Sequence, residues 1–285
     1  MKIGIGLPNQ IRGMNPAITP GWAQRAEAAG FSTLGTVGRL AYPGLMDTVA
    51  LAAAAVATSR IGLLSSVLIA TAWPPVLLAK EVAGIDALSG GRLTLGVGAG
   101  IRPDDFVVDG YPEKGRGKRF DRDLEVYRSV WNGEPVGGGE SPAVPAGTRQ
   151  LPMIFGGMVP AAMARMAKWG EGYIGGGLPA PMVAGSFDDA RAAWREAGRD
   201  GEPRLIAIAY FGLGDPDKGR ANVWDYYSVS GKEFADLTAG TLAGSADDVR
   251  EVVQSFAALG ADELILNPTT DDPDEIERVA EVILG

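Results

Sequence analysis

The residues best suited to hold a ligand lie in two glycine-rich stretches, each placed where a strand runs out. In LTLGVGAGIRPDD the apolar run Leu93 to Val97 ends in Gly98, Ala99 and Gly100, a loop almost without side chains. Such a loop lets a flat ligand rest directly against backbone. In FGGMVPAAMARMAKW a strand stops at Gly156-Gly157, and Pro160 occupies the first turn of a helix. The amides of Gly157, Met158, Val159, Ala161 and Ala162 are then positioned to meet an anion, assisted by the helix dipole. The alternative for this stretch is an ordinary tight strand-to-helix turn.

Charged and aromatic side chains add candidates. Arg39 follows the second strand and cannot act as a base at neutral pH, but it can hold an anionic substrate, a cofactor tail or an enolate-like transition state; a surface salt bridge is the competing role. Trp73, Tyr42, Arg12 and Arg102 are expected to line the same mouth. Asp104-Asp105 offers paired carboxylates, yet adjacent loop residues rarely face one scissile bond, so glycosidase chemistry is disfavoured. LGVGAGIRPDD has Ile101 where a dinucleotide fingerprint requires glycine, and no acidic residue follows at the right distance.

Composition removes whole classes of chemistry. With no cysteine and no histidine, disulfides, thiolate and imidazole metal sites, and serine–histidine catalysis all disappear. No metal site is expected, and DDPDEIE near the end reads as an acidic helix N-terminus. A net charge of −9 argues against nucleic acid as partner. No stretch approaches the ~20 apolar residues of a membrane span, and MKIGIGLPNQ reads as a strand, so a cytoplasmic protein is expected.

The 285 residues are 46% hydrophobic and 21% charged, which allows a sizeable core. Strands are predicted at 2–7, 31–37, 60–70, 92–99, 153–155, 172–175, 204–211 and 263–267. Helices are predicted at 20–29, 46–58, 74–88, 118–131, 160–169, 187–197, 246–259 and 273–284. Residues 133–150 read as a surface excursion with a short hairpin, and 214–240 as an irregular, helical insertion near a strand's carboxyl end. Eight strand–helix units without a hairpin-rich section imply one parallel α/β domain over 1–285, a (β/α)8 TIM barrel, with an open doubly wound sheet as competitor. In a barrel the residues after each strand share one face, which brings both glycine loops together.

The stretches RIGLLSSVLIATAWPPVLLAKEVAGIDALSGGRLTLGVGAG, RGKRFDRDLEVYRSVW, LPMIFGGMVPAAMARMAKWGEGYI and LAGSADDVREVVQSFAALGADELIL occur in the order found in the bacterial luciferase-like superfamily, which the chain resembles along nearly its whole length. The most specific part is D-x-x-S-x-G-R-x-x-L-G-x-G-x-G, present as Asp86, Ser89, Gly91, Arg92, Leu95, Gly96, Gly98 and Gly100. The resemblance implies a flavin- or coenzyme F420-dependent oxidoreductase on a TIM barrel. It places Ser66-Val67 at a bulge, often with a cis peptide, that supports the isoalloxazine face. It sets Gly98 to Ile101 near the ring and Gly157 to Ala162 at the cofactor phosphate, and it implies a homodimer.

Two departures bear on the reaction. F420-dependent dehydrogenases of sugar phosphates and alcohols carry a polar pair such as Asp-His after strand two and a glutamate after the Gly-x-Gly loop; this chain has Gly38-Arg39 and Ile101. An alcohol oxidation needs a base for the hydroxyl proton, so that direction is disfavoured and no catalytic residue is assigned. The expectation is hydride transfer from reduced coenzyme F420 to a small organic substrate. The Ser-Ser-Val-Leu strand and the Ala/Gly/Arg/Asp-rich composition of a high-GC source favour the deazaflavin. The alternatives are an FMN-dependent monooxygenase served by a separate reductase and a cofactor-binding protein without turnover.

Overall fold

A computed structural model describes residues 1–285. Eight parallel strands close on themselves: β1 (Lys2–Gly6), β2 (Thr33–Thr36), β3 (Gly62–Ser65, resuming at Leu68–Ile69), β4 (Leu93–Gly98), β5 (Met153–Gly156), β6 (Gly172–Gly175), β7 (Arg204–Phe211) and β8 (Glu263–Pro268). Closure comes from β1 pairing with both β2 and β8, and from β3 pairing with β4. The protein is a (β/α)8 TIM barrel.

Two layers of apolar side chains explain the closure. Inside, Leu64, Ile154, Ile174, Ile206, Ile208 and Ile265 fill the barrel, with Val67 above them. They come mainly from one half of the wall, and the other half answers with glycine. A methyl group on Gly4 would stand 2.5 Å from Ile265 Cδ1, so β1 must be bare where β8 is bulky. Outside, a continuous core of 52 buried residues joins the strands to their helices, including Trp22, Phe120, Trp131 and Phe187.

The sheath is formed by α1 (Thr19–Ala29), α2 (Asp47–Ala57), α3 (Pro75–Ser89), α4 (Arg116–Trp131), α5 (Pro160–Trp169), α6 (Ala180–Glu196), α9 (Ala246–Ala258) and α10 (Glu275–Ile283). Sequence reading started the sixth of these helices at Phe187; it begins two turns earlier, because Pro181 is tolerated in a first turn. The second strand is shorter than 31–37. Residues 133–150 form an extended loop with a single antiparallel bridge, Pro135 to Pro142. Within 214–240 the chain forms α7 (Pro216–Tyr227) and α8 (Lys232–Gly240), joined by one 3₁₀ turn.

The third strand is not continuous. Leu63 pairs with Leu93 and Leu68 with Val97. β3 therefore holds one residue more than β4 over the same length, which is a β-bulge. Ser66-Val67 lies in the bulge, and its peptide bond is cis. No helix is long and apolar enough to cross a membrane.

Candidate functional site

A cavity of about 670 Å³ opens at the carboxyl ends of the strands, within the range typical of small-molecule and cofactor sites. Its floor is the bulge. Ser66 is buried, and both its amide and its hydroxyl donate to the Thr36 carbonyl, at 2.8 and 2.7 Å. That double anchor turns Val67 into the cavity. Bare backbone surrounds it: a Cβ on Gly38 would stand 2.6 Å from the Val67 carbonyl oxygen, and one on Gly98 would stand 3.0 Å from Val67 Cγ2. Glycine at 38 is thus set by the close approach of the bulge. The absence of a polar residue there has a steric cause.

One wall is the loop into α5. Gly157 has φ +123° and sits 3.0 Å, through its would-be Cβ, from the Ala162 methyl. No side chain caps this helix. The amides of Gly157, Met158, Val159 and Ala161 have no acceptor within the protein, so four donors remain for an anion. Ala162 departs from expectation: its amide donates to Val159 O at 2.8 Å and closes the first turn. Nearby, Arg116, Lys118 and Arg165 carry positive charge on the same wall. Arg165 is held by Asp121 at 2.6 Å and by the Gly117 carbonyl at 3.0 Å, whereas Lys118 has no ion-pair partner.

The residues singled out in the sequence divide into two groups. Ser66, Val67, Gly98, Ala99, Gly100, Arg102, Gly157, Met158, Val159, Ala161 and Ala162 all lie on this one cavity. Arg39 and Trp73 do not. Arg39 turns inward, its side chain only 2% exposed. It donates from Nε to Asp105 at 3.0 Å, from Nη1 to Tyr226 O at 3.1 Å and from Nη2 to Asp104 at 2.6 Å. Asp105 also takes the Leu40 and Ala41 amides. Arg39 therefore clamps together the loops after β2 and β4 and the end of α7. The same geometry occupies Asp104 and Asp105. Trp73 is carried away by the 3₁₀ turn Ala70–Ala72 and packs on the outer core. Tyr42 and Arg12 converge on Asp225, at 2.7 and 2.9 Å, off the cavity wall.

Sequence reasoning missed the roof. Tyr226 and Tyr227 at the end of α7, Phe234 on α8 and Tyr210 near the end of β7 all face the cavity. Tyr210 and Tyr227 share a hydrogen bond of 2.8 Å between their hydroxyls, and burial pushes the Tyr210 phenol well above its ordinary value. The paired tyrosines in DYYSVS were a signal available beforehand, since a tyrosine at a strand or helix end offers an apolar body with a polar tip. Asp47, at the start of α2 behind Gly38, is wholly buried. Desolvation lifts its carboxyl to about 7, against the amide of Thr48 and with the field of Glu81 adding to the rise.

Cradle, free amides and volume together fit a planar ring with an anionic tail, as a flavin or deazaflavin has. Comparison with known proteins agrees. The family model described as luciferase-like monooxygenase matches residues 1–263. An uncharacterised protein of Mycobacterium tuberculosis is 29% identical, covering 90% of this chain and 98% of that one. Among solved structures, an F420-dependent secondary alcohol dehydrogenase bound to an F420–acetone adduct superposes with a TM-score of 0.79 at 20% identity, over 99% of this chain and 98% of that one. The FMN-bound oxygenating constituent of 3,6-diketocamphane monooxygenase from Pseudomonas putida gives 0.76 at 16% identity, over 99% and 96%. At such identities the superpositions speak to fold alone.

Proposed function

This chain belongs to the luciferase-like monooxygenase family, and from that premise we propose that it is an oxidoreductase using reduced coenzyme F420 to reduce a small organic substrate. The observation that carries the reading is the meeting, in one cavity, of the Val67 bulge with four unused amides at the start of α5. When bound, the cofactor supplies the hydride. The chain's own residues do the rest. Val67 and the glycines at 38, 98 and 156 form a flat seat, and the amides of Gly157, Met158, Val159 and Ala161 hold the phosphate. Lys118 and Arg116 add positive charge beside it, and the tyrosine roof limits water.

The chain has no histidine, and Arg39, off the cavity, is committed to two aspartates. A pocket so poor in bases favours reduction of an activated double bond over oxidation of an alcohol. The second reading is an FMN-dependent monooxygenase fed by a separate reductase. The family's own description and the FMN-bound relative of the same fold favour it.

Parallel titrations of the purified protein with F420 and FMN, followed by quenching of intrinsic fluorescence, separate these readings. Tight binding of F420 alone is expected. Tight binding of FMN alone would move the assignment to the monooxygenase, and binding of neither would overturn both. Binding without substrate-dependent oxidation of the reduced cofactor would mark a carrier. We propose further that the expected second copy of the chain packs on the face where α2 exposes Val49 and Val56 and the adjoining α3 exposes Leu77 and Leu88. Sedimentation of Leu77→Glu is then expected to give a monomer.

A further inference from the structure

Among the arginines that are buried or half-buried, Arg102 alone has a side chain that makes no hydrogen bond and no ion pair. It lies on the cavity wall, with its Nε buried and unpartnered. Its guanidinium carbon stands 4.9 Å from the ring centre of Tyr226 and 5.0 Å from that of Tyr227. Asp105, a carboxylate whose field reaches it, is already engaged by Arg39 Nε and by the amides of Leu40 and Ala41. A half-buried cation left unpaired is costly, and the usual remedy is an anion. No such anion belongs to the chain.

A second donor waits beside it. Tyr210 and Tyr227 share one hydrogen bond between two hydroxyls, so one of the two phenolic protons has no acceptor within the protein. Burial keeps Tyr210 protonated at neutral pH. Gly177, with φ +58°, leaves room for this pair, since a Cβ there would stand 3.0 Å from the Tyr227 hydroxyl. We propose that Arg102 and the Tyr210–Tyr227 pair form a recognition site for the carboxylate of a flat, apolar monocarboxylate substrate.

The chemistry selects that class. A planar guanidinium fork matches the two oxygens of a carboxylate, and a phenol proton serves the remaining lone pair. One cation suits one negative charge. A phosphate would be better met by the separate set of amides at α5. The rings of Tyr226 and Tyr227, set edge to face at 80°, bound the guanidinium on two sides, and Phe234 and Ile101 on the same cavity offer apolar surface to an aromatic or conjugated body. The clamp of Arg39 on Asp105 holds the 3₁₀ turn Pro103–Asp105 that follows Arg102, so the donor is positioned before any ligand arrives.

The proposal deepens the oxidoreductase reading by naming its substrate class, and it is tested without any cofactor so that the two can fail separately. Benzoate, cinnamate and their methyl esters are titrated calorimetrically into the cofactor-free full-length protein and into Arg102→Gln, Arg102→Lys and Tyr227→Phe. The acids are expected to bind at least about tenfold more tightly than the esters, and Arg102→Gln to erase that preference. Arg102→Lys is expected to restore part of it, Tyr227→Phe to reduce it by less, and no variant to change the melting temperature markedly. Equal binding of acids and esters, absence of binding by the acids, or an unchanged preference in Arg102→Gln would overturn the proposal. So would an Arg102→Gln protein that loses affinity for F420 or FMN as steeply as for benzoate, since the arginine would then serve the cofactor.

Discussion

Arg92 and Arg102 stand just before and shortly after the same strand, β4, and they live opposite lives. Arg92 donates to the carbonyls of Ser89, Ile61, Ala55 and Thr58 and to the Thr58 hydroxyl, at 2.6 to 3.0 Å. Around it the Asp86 carboxylate takes the Leu93 amide and a two-point contact from Arg149, and Ser89 bridges Asp86 O to the Arg92 amide. The run from Asp86 to Arg92 is therefore a fastening at the amino end of the barrel. Arg102, at the other end, donates to nothing. Its neighbours in that half include other buried polar atoms without partners, among them both amide atoms of Asn267 and the hydroxyl of Thr36. The fastening at one end is satisfied internally; the other end leaves donors and acceptors unpartnered. The contrast is the expected division between the stability face and the functional face of this fold.

The contrast is most sharply broken by exchanging the two arginines' fates. Arg92→Met is expected to cost about 3–5 kcal/mol, because five carbonyl and hydroxyl oxygens lose a charged donor together. Arg102→Met, measured in the same urea series, is expected to fall within about 1 kcal/mol of the parent. Comparable losses in both would show that the two ends do not differ in this way.

Asp47 extends the comparison to pH. Its folded value of about 7 lies above the ordinary 3.8, chiefly through desolvation. The folded state therefore binds the proton more tightly than the unfolded one. Its favourable contribution is complete below about pH 3.8 and is lost as pH rises through about 7. Asp47→Asn should thus be more stable than the parent by on the order of 2–4 kcal/mol at pH 8 and by clearly less at pH 5. A pH-independent difference would place the carboxyl in contact with water.

Gly38→Ala sharpens the case for the bulge. The added methyl meets the Val67 carbonyl at 2.6 Å, and a loss of about 1–3 kcal/mol, with weakened flavin or deazaflavin binding, is expected. The smallest effect belongs to the amino end. Glu27 receives the amides of Ser59, Arg60 and Ile61. Desolvation opposes its ionisation, but these amides hold its carboxyl down at about 2. Its contribution is present above about pH 4.5 and lost as pH falls through 2. Since the group is partly exposed, Glu27→Gln should cost no more than about 1 kcal/mol at pH 7, and clearly less at pH 2, by thermal melts.

Much of the fold was legible because its signals are short-ranged. A strand such as RLIAIAYF, a helix stop at Gly90 with φ +71° and the proline that opens α5 each act over a few residues. The glycine loops were legible for the same reason, as was their meeting on one face once eight strands were counted. Other features were not. Two arginines, 39 and 102, each follow a strand and look equivalent in the chain. Which of them turns inward depends on Asp105, 66 positions from Arg39 in sequence, and on Tyr226, 187 positions away. Trp73 was sent outward by a single 3₁₀ turn, and the tyrosines of α7 became a roof only through the packing of the 214–240 segment over β7.

The sequence by itself determined a parallel (β/α)8 barrel, its family and the two backbone loops that meet on one cavity. Backbone conformation and hydrophobic period are local properties of the chain. Tertiary structure alone decided which charge is paired and which is left free, because an ion pair forms only where folding brings its partners together.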